Sequence, residues 1–254
     1  MDLPVNRFKK RLLAGETQIG LWVTIPDPSV VEALAGAGFD WMTLDTEHSA
    51  VEVSQVLPLL QAAAPYPTDC VVRPHVNDTA LIKRHLDQGA MTILLPYIQS
   101  RAEAEAAVAA VRYPPRGARG VAGTMRAARY GRIATYAAQA DAEICLILQV
   151  ETVLAMTRLE SIAGVDGVDA IFIGPADLAA SMGHRGQPNH PEVRKAVLSA
   201  IARLKAMDVP AGLLTQEADF VAQAIDAGAR FVATAVDMSL LVRSADETAA
   251  RFRR

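Results

Sequence analysis

Several things are scarce in this chain, and each scarcity excludes a class. It has two cysteines, Cys70 and Cys145, both inside apolar runs. That excludes a disulfide-stapled secreted scaffold and reads as reduced core thiols of a cytoplasmic protein. Aromatic residues are 5% of 254, which suits a helix-rich packed enzyme better than a β-sandwich. The lysines are Lys9, Lys10, Lys83, Lys195 and Lys205, none at the end of an apolar run, which argues against an imine-forming lysine. No apolar stretch approaches the roughly 18–20 residues of a membrane span. The amino-terminal "MDLPVNRFKKRLLAGE" lacks the uninterrupted apolar centre of an export signal. A net charge of −3 provides no general attraction to nucleic acid.

What is abundant is the short apolar run. Strands are expected at 18–24, 40–45, 70–73, 91–96, 144–151, 170–175, 209–214 and 231–236. Their lack of alternation fits a parallel sheet covered on both faces. Helices fit between and after them at 29–36, 52–63, 78–88, 101–111, 153–163, 192–207, 217–227 and 239–251. A weak repeat, "LAGAGFDWMTLD", "LDQGAMTILLP" and "IDAGARFVATAV", places a Gly between a helix end and a strand, where a left-handed turn is needed. Eight such units without a flexible linker predict one (β/α)8 barrel over 1–254. A doubly wound open sheet is the alternative, but no G-x-G-x-x-G follows the first strand. Phe8, Leu12 and Leu13 suggest a short covering helix. The connection 112–131 is too long to be an idle turn.

In such a barrel the carboxyl ends of the strands carry the chemistry. They deliver Asp45, Glu47 and His48 ("LDTEHS"), Arg73 ("RPHVND"), Gln149 and Glu151 ("LILQVET"), and Asp177 ("FIGPADLA"). Glu151 and Asp177, on adjacent strands, would crowd two negative charges that either share a proton or hold a hard cation, Mg²⁺ or Mn²⁺ before Zn²⁺. Each alone would also serve as a helix cap. Arg73 suits a developing oxyanion or a salt bridge to Glu47. His48, three residues after Asp45, suits a general base. The backbone N–H groups after Ala176 open a helix and suit a carboxylate or phosphate. The six arginines from Arg112 to Arg132 could receive a second anionic group or form a solvated loop or subunit contact. His75, His184 and His190 have weaker claims, and His85 is expected on the surface.

At these residues the chain resembles the HpcH/HpaI family of metal-dependent, pyruvate-forming class II aldolases. The matching stretches are "AGAGFDWMTLDTEH", "APYP…VVRP…ND", "RYPPRGARGV", "QVET", "GVDAIFIGPADLAASMG" and "HPEV". The resemblance implies a (β/α)8 barrel that cleaves 4-hydroxy-2-oxo acids to pyruvate and an aldehyde such as succinate semialdehyde or a hydroxyaldehyde. It implies Glu151 and Asp177 as metal ligands (Mg²⁺, Mn²⁺ or Co²⁺), Arg73 as enolate stabiliser, and His48 with Asp45 as the acid/base pair. Gln149 and the Ala176–Asp177 backbone would line the pyruvate pocket. Leu214 and Arg126 are further expected substrate contacts, and Asp87 an acid given to a neighbouring subunit. A homohexamer with its last helix, after Asp237, exchanged between subunits is implied as well. Thr46, where the family usually has Gly, and His75, after R-P, are departures that bear on the choice of aldehyde. Alternatives are a CoA-thioester lyase of the citrate-lyase-β or malyl-CoA type, a 2-keto-3-deoxy sugar acid aldolase, a silent binder that keeps the barrel, and a phosphate-binding isomerase.

Overall fold

All eight apolar runs form strands, and the strands close on themselves. The computed structural model describes residues 1–253. The strands are β1 (Gln18–Val23), β2 (Trp41–Asp45), β3 (Asp69–Arg73), β4 (Thr92–Leu95), β5 (Cys145–Val150), β6 (Ala170–Ile173), β7 (Ala211–Leu214) and β8 (Ala229–Val236). They are parallel, ordered as in the chain, and β8 pairs back to β1. The closed order is that of a (β/α)8 barrel and rules out the open doubly wound sheet.

Among the described residues twelve α-helices are present: α1 (Arg7–Leu13), α2 (Pro28–Ala35), α3 (Val53–Ala63), α4 (Thr79–Asp87), α5 (Arg101–Val111), α6 (Tyr136–Glu143), α7 (Val153–Thr157), α8 (Leu159–Ala163), α9 (Pro175–Ser181), α10 (Pro191–Ala206), α11 (Ala218–Ala227) and α12 (Asp237–Phe252). The helix expected over 153–163 is two, because Arg158 leaves the helical region. The three repeat glycines, Gly38, Gly89 and Gly228, have φ of 93°, 100° and 116°, the left-handed turn that their pattern predicted.

Both tryptophans and two of the phenylalanines fill the barrel's lumen. Trp22, Trp41, Phe172 and Phe231 point inward and meet in tilted or edge-on pairs at centroid distances of 5.4–6.1 Å. Room for them comes from two inward glycines. A Cβ on Gly20 would lie 2.2 Å from the Trp41 ring, and one on Gly212 would lie 2.3 Å from the Phe231 ring. Helix α1 then plugs the amino-terminal end: Phe8 meets Trp41 and Phe231 edge-on, each at 5.7 Å. Such pairs contribute about 0.5–1.5 kcal/mol each beyond area burial. Asn6 anchors the plug by donating to Met91 O, Thr92 Oγ1 and Glu143 O. Phe8 and Leu12 are buried as the covering helix requires, whereas Leu13 is exposed. Strands and outer helices share a second, aliphatic layer.

His85 is a correction to the sequence reading. It is fully buried on the inner face of α4, with neither ring nitrogen hydrogen-bonded. Burial, then the charge of Arg84 and the nearby His75, pushes its pKa from 6.5 down to about 4. The unfolded chain therefore takes up a proton below about pH 6.5 that the folded chain refuses until about pH 4. Stability falls as pH drops through that window, by up to about 3 kcal/mol. In His85→Leu this loss should vanish, so urea midpoints at pH 7.5 and pH 5 should differ less than in the wild type. An unchanged pH dependence would place the acid sensitivity elsewhere.

Candidate active site

The mouth of the barrel is built from the last inward residue of each strand. Asp45 and Arg73 are register partners at the ends of β2 and β3, so their side chains meet. Arg73 Nε donates to Asp45 Oδ1 at 2.8 Å and Nη2 to Asp45 Oδ2 at 2.6 Å, a bidentate pair that is nearly inaccessible. Arg73 Nη1 lies 2.9 Å from Glu47 Oε2. Burial alone would raise the Asp45 carboxyl, but hydrogen bonds and charge from Arg73 hold it below the usual carboxylate range. Glu47, by contrast, is raised, first by burial, with Asp45 and Asp177 adding to it against the pull of Arg73 and His48.

Asp45 is expected to orient the His48 ring, but its bonds go elsewhere. Its oxygens are taken by Arg73, by Trp22 Nε1 (3.1 Å) and by the backbone N–H groups of Glu47 (2.9 Å) and His48 (3.4 Å). The His48 ring is largely exposed, and the acid nearest it is Glu47, at 3.9 Å. A strand-to-loop turn over Asp45 aims the imidazole outward instead of onto the carboxylate. Thr46 is also resolved differently. Its hydroxyl and its N–H both donate to Arg73 O, at 2.8 and 3.0 Å, so the hydroxyl ties β2 to β3 and is not free for substrate. His75 is exposed.

Across the mouth, Glu151 follows β5 and is 3% exposed. Its Oε1 accepts from Tyr97 N at 2.8 Å, and its Oε2 from Gln149 Nε2. Tyr97 reaches it through a left-handed backbone (φ 57°) that is costly for a tyrosine. Gly174 also makes way, because a Cβ there would lie 2.5 Å from Glu151 Oε2. The helix-cap reading fails for Glu151: the cap of α7 is Thr152, whose Oγ1 accepts from Ala155 N. Asp177 lies in the exposed first turn of α9 and makes no cap bond; the cap position belongs to Gly174. Burial pushes Glu151 up to about 7, with Asp177 and Glu47 adding to it and the Gln149 and Tyr97 bonds opposing. Glu47, Glu151 and Asp177 thus share one mouth with only Arg73 and the exposed His48 to offset them, and among the described residues Glu151 has no cationic partner. Oxygen donors under mutual repulsion fit a hard divalent cation.

Gln149 sits buried at the end of β5, and its Oε1 has no partner. Ala176 is exposed in the first turn of α9. Leu214 ends β7 and packs on the lumen cluster. Arg126 is not at the mouth. It donates to Gln88 O at 2.8 Å, beyond the carboxyl end of α4, and lines a cavity of about 160 Å³ at the opposite, amino-terminal end of the barrel. Asp87 ends α4 on that side too, paired with Arg119.

The sequence reading passed over Trp22. Its indole lies under the Arg73 guanidinium (4.9 Å to the ring centroid), donates to Asp45 and packs on Phe172. The signal was present: Trp22 holds the last inward position of β1, within "QIGLWVT". Trp22→Phe, which keeps the ring and removes the N–H, should lower kcat/KM roughly tenfold. Unaltered kinetics would leave Trp22 a core residue only.

A closed parallel barrel whose mouth joins a clamped arginine to mutually repelling carboxylates has the architecture of an enzyme site. The chain belongs to the HpcH/HpaI aldolase/citrate lyase family, whose model matches residues 18–244. It is 56% identical over 252 residues to a pyruvate aldolase of Rhizobium etli, covering 99% of each chain. It is 49% identical over 248 residues to a 4-hydroxy-2-oxo-heptane-1,7-dioate aldolase of Salmonella heidelberg, covering 97% of this chain and 94% of that protein. An HpcH/HpaI aldolase/citrate lyase family protein from Burkholderia cenocepacia shares the fold with a TM-score of 0.94 at 37% identity, over 98% of this chain and 100% of that one. The chain is accordingly an aldolase of that family, a carbon–carbon lyase.

Proposed function

We propose that the enzyme cleaves 4-hydroxy-2-oxo acids at the mouth described above, with Glu151 and Asp177 holding a divalent cation, Mg²⁺, Mn²⁺ or Co²⁺. The observation that carries this reading is the buried Glu151, which among the described residues has no basic side chain beside it and faces Asp177 and Glu47. When bound, the cation supplies a Lewis acid and a template for the 2-oxo acid. Gln149 and the N–H groups at Ala176 and Asp177 orient the substrate carboxylate, and Leu214 packs against the carbon chain. His48 takes the proton of the C4 hydroxyl, directly or through water. As the C3–C4 bond breaks, Arg73 stabilises the negative charge that develops on the C2 oxygen. A proton then returns to C3, giving pyruvate and the aldehyde. Asp45 serves by clamping Arg73, not by orienting His48.

Assembly belongs to the same reading. Helix α12 buries only Asp237, while Met238, Leu241 and Val242 form an exposed apolar stripe at helical spacing. This stripe supports exchange of α12 within a cytoplasmic hexamer, which would also carry Asp87 to a neighbouring mouth. Leu241→Glu with Val242→Glu should then give a smaller, weakly active species by light scattering; an unchanged mass would discard the exchange. A CoA-thioester substrate is less well served, because the arginine-rich connection offers no groove at the mouth: Arg119 is buried and Arg126 faces the far end. The test of function is pyruvate release from 4-hydroxy-2-oxo acids with dicarboxylate, hydroxylated and short tails, by protein stripped of metal and then resupplied. Release that depends on metal supports the reading, and the preferred tail names the aldehyde. Release that ignores stripping would overturn it.

A further inference from the structure

The connection 112–131 carries a guanidinium into the protein interior. Arg119 is fully buried. Its Nη2 lies 3.3 Å from Asp87 Oδ1 and 3.3 Å from the Tyr136 hydroxyl. Its Cζ stands 4.5 Å from the ring centroid of Tyr113 and 5.7 Å from that of Tyr136. Among the described residues Nε and Nη1 have no partner. Two aromatic faces and one long ion pair are poor compensation for removing an arginine from water, so stability alone does not account for it.

Nor is the side chain needed to hold its own loop. Ala118 N donates to Ala109 O at 2.7 Å and Arg119 N to Arg112 O at 2.9 Å, pinning the backbone to the end of α5. Gly117 permits this approach, since a Cβ there would lie 2.4 Å from both carbonyl oxygens. With the backbone fixed in this way, the guanidinium is held between two rings in one orientation. Among the described residues the one carboxylate that it contacts is that of Asp87, whose side chain remains 25% exposed.

We propose that Arg119 is a positioning residue for Asp87, gripping Oδ1 from the interior so that the exposed part of the carboxylate is presented at the surface in one rotamer. This rests on the reading above in which Asp87 serves the site of a neighbouring subunit. The tyrosine slot supplies direction, and the unpartnered nitrogens leave Asp87 as the one anion on which the guanidinium can act.

A double-mutant cycle tests the assignment. Asp87→Asn, Arg119→Met, Arg119→Lys and the Asp87→Asn/Arg119→Met double variant would be compared for kcat, KM, thermal unfolding and assembled mass. Arg119→Met should lower kcat roughly 10- to 100-fold with KM held within about twofold, and Arg119→Lys should recover part of the loss. In the Asp87→Asn background, Arg119→Met should cost nothing further. If the two losses multiply, Arg119 acts through general structure and the proposal is wrong. If Asp87→Asn is fully active, the reading of Asp87 fails, and this proposal with it. A slow Asp87→Asn beside a normal Arg119→Met would sink the Arg119 assignment alone. Should Arg119→Met not assemble, Arg119→Lys and Tyr136→Phe, each combined with Asp87→Asn, decide by the same rule.

Discussion

Glu151→Gln is expected to slow pyruvate release by roughly a thousandfold or more and to abolish the response to added divalent cation. The amide keeps the shape that Tyr97 N and Gly174 enclose, but it removes the buried charge that a cation needs. Stability should move the other way. In the metal-free protein burial holds the Glu151 pKa at about 7 against an ordinary 4.5. The folded state therefore resists ionisation, and its stability falls as pH rises from about 4.5 through 7, by an amount on the order of 3 kcal/mol. A glutamine carries no such dependence, so the metal-free variant should melt above the metal-free wild type at pH 8. Added Mg²⁺ or Mn²⁺ should raise the melting temperature of the wild type and leave that of the variant unchanged. An active variant with an unaltered metal response would mean that Glu151 serves the mouth only by packing.

The order of elements was legible in the sequence because each parallel strand is buried on both faces and writes a short apolar run, with its functional residue at the carboxyl end. Asp45, Arg73, Gln149 and Glu151 could all be read in that way, and the structure brings them to one mouth. What the runs could not show is where side chains turn after the strand stops. Asp45 and His48 have the spacing of an acid/base pair, yet the loop spends both Asp45 oxygens on Arg73 and on backbone N–H groups. Arg126 lies in a connection with no periodicity, so nothing in its sequence placed it at the far end of the barrel. His85 looked exposed because a polar residue in a helix usually is; only the packing of α4 reveals it as buried. The seats that Gly20 and Gly212 make for Trp41 and Phe231 are contacts across neighbouring strands, which a linear pattern does not contain.

Arg73→Lys should lower kcat by roughly two to three orders of magnitude while changing KM far less, even though the positive charge is kept. A lysine can neither span both Asp45 oxygens nor lie flat on Trp22 while reaching Glu47, whereas Arg73 does all three at 2.6–2.9 Å and a 4.9 Å stacking distance. The charge would remain near the C2 oxygen of the substrate, but its direction would be lost. Arg73→Met separates charge from geometry. It leaves Asp45 buried beside Glu47 with no cation, and such an unpaired charge costs about 3–5 kcal/mol. Adding Asp45→Asn to Arg73→Met should therefore restore much of the melting temperature and none of the activity, because the second change removes the stranded charge without replacing the oxyanion donor. Recovery of activity in that double variant would show that the pair serves only to hold β2 against β3, and the oxyanion would then have to be stabilised by another group at the mouth.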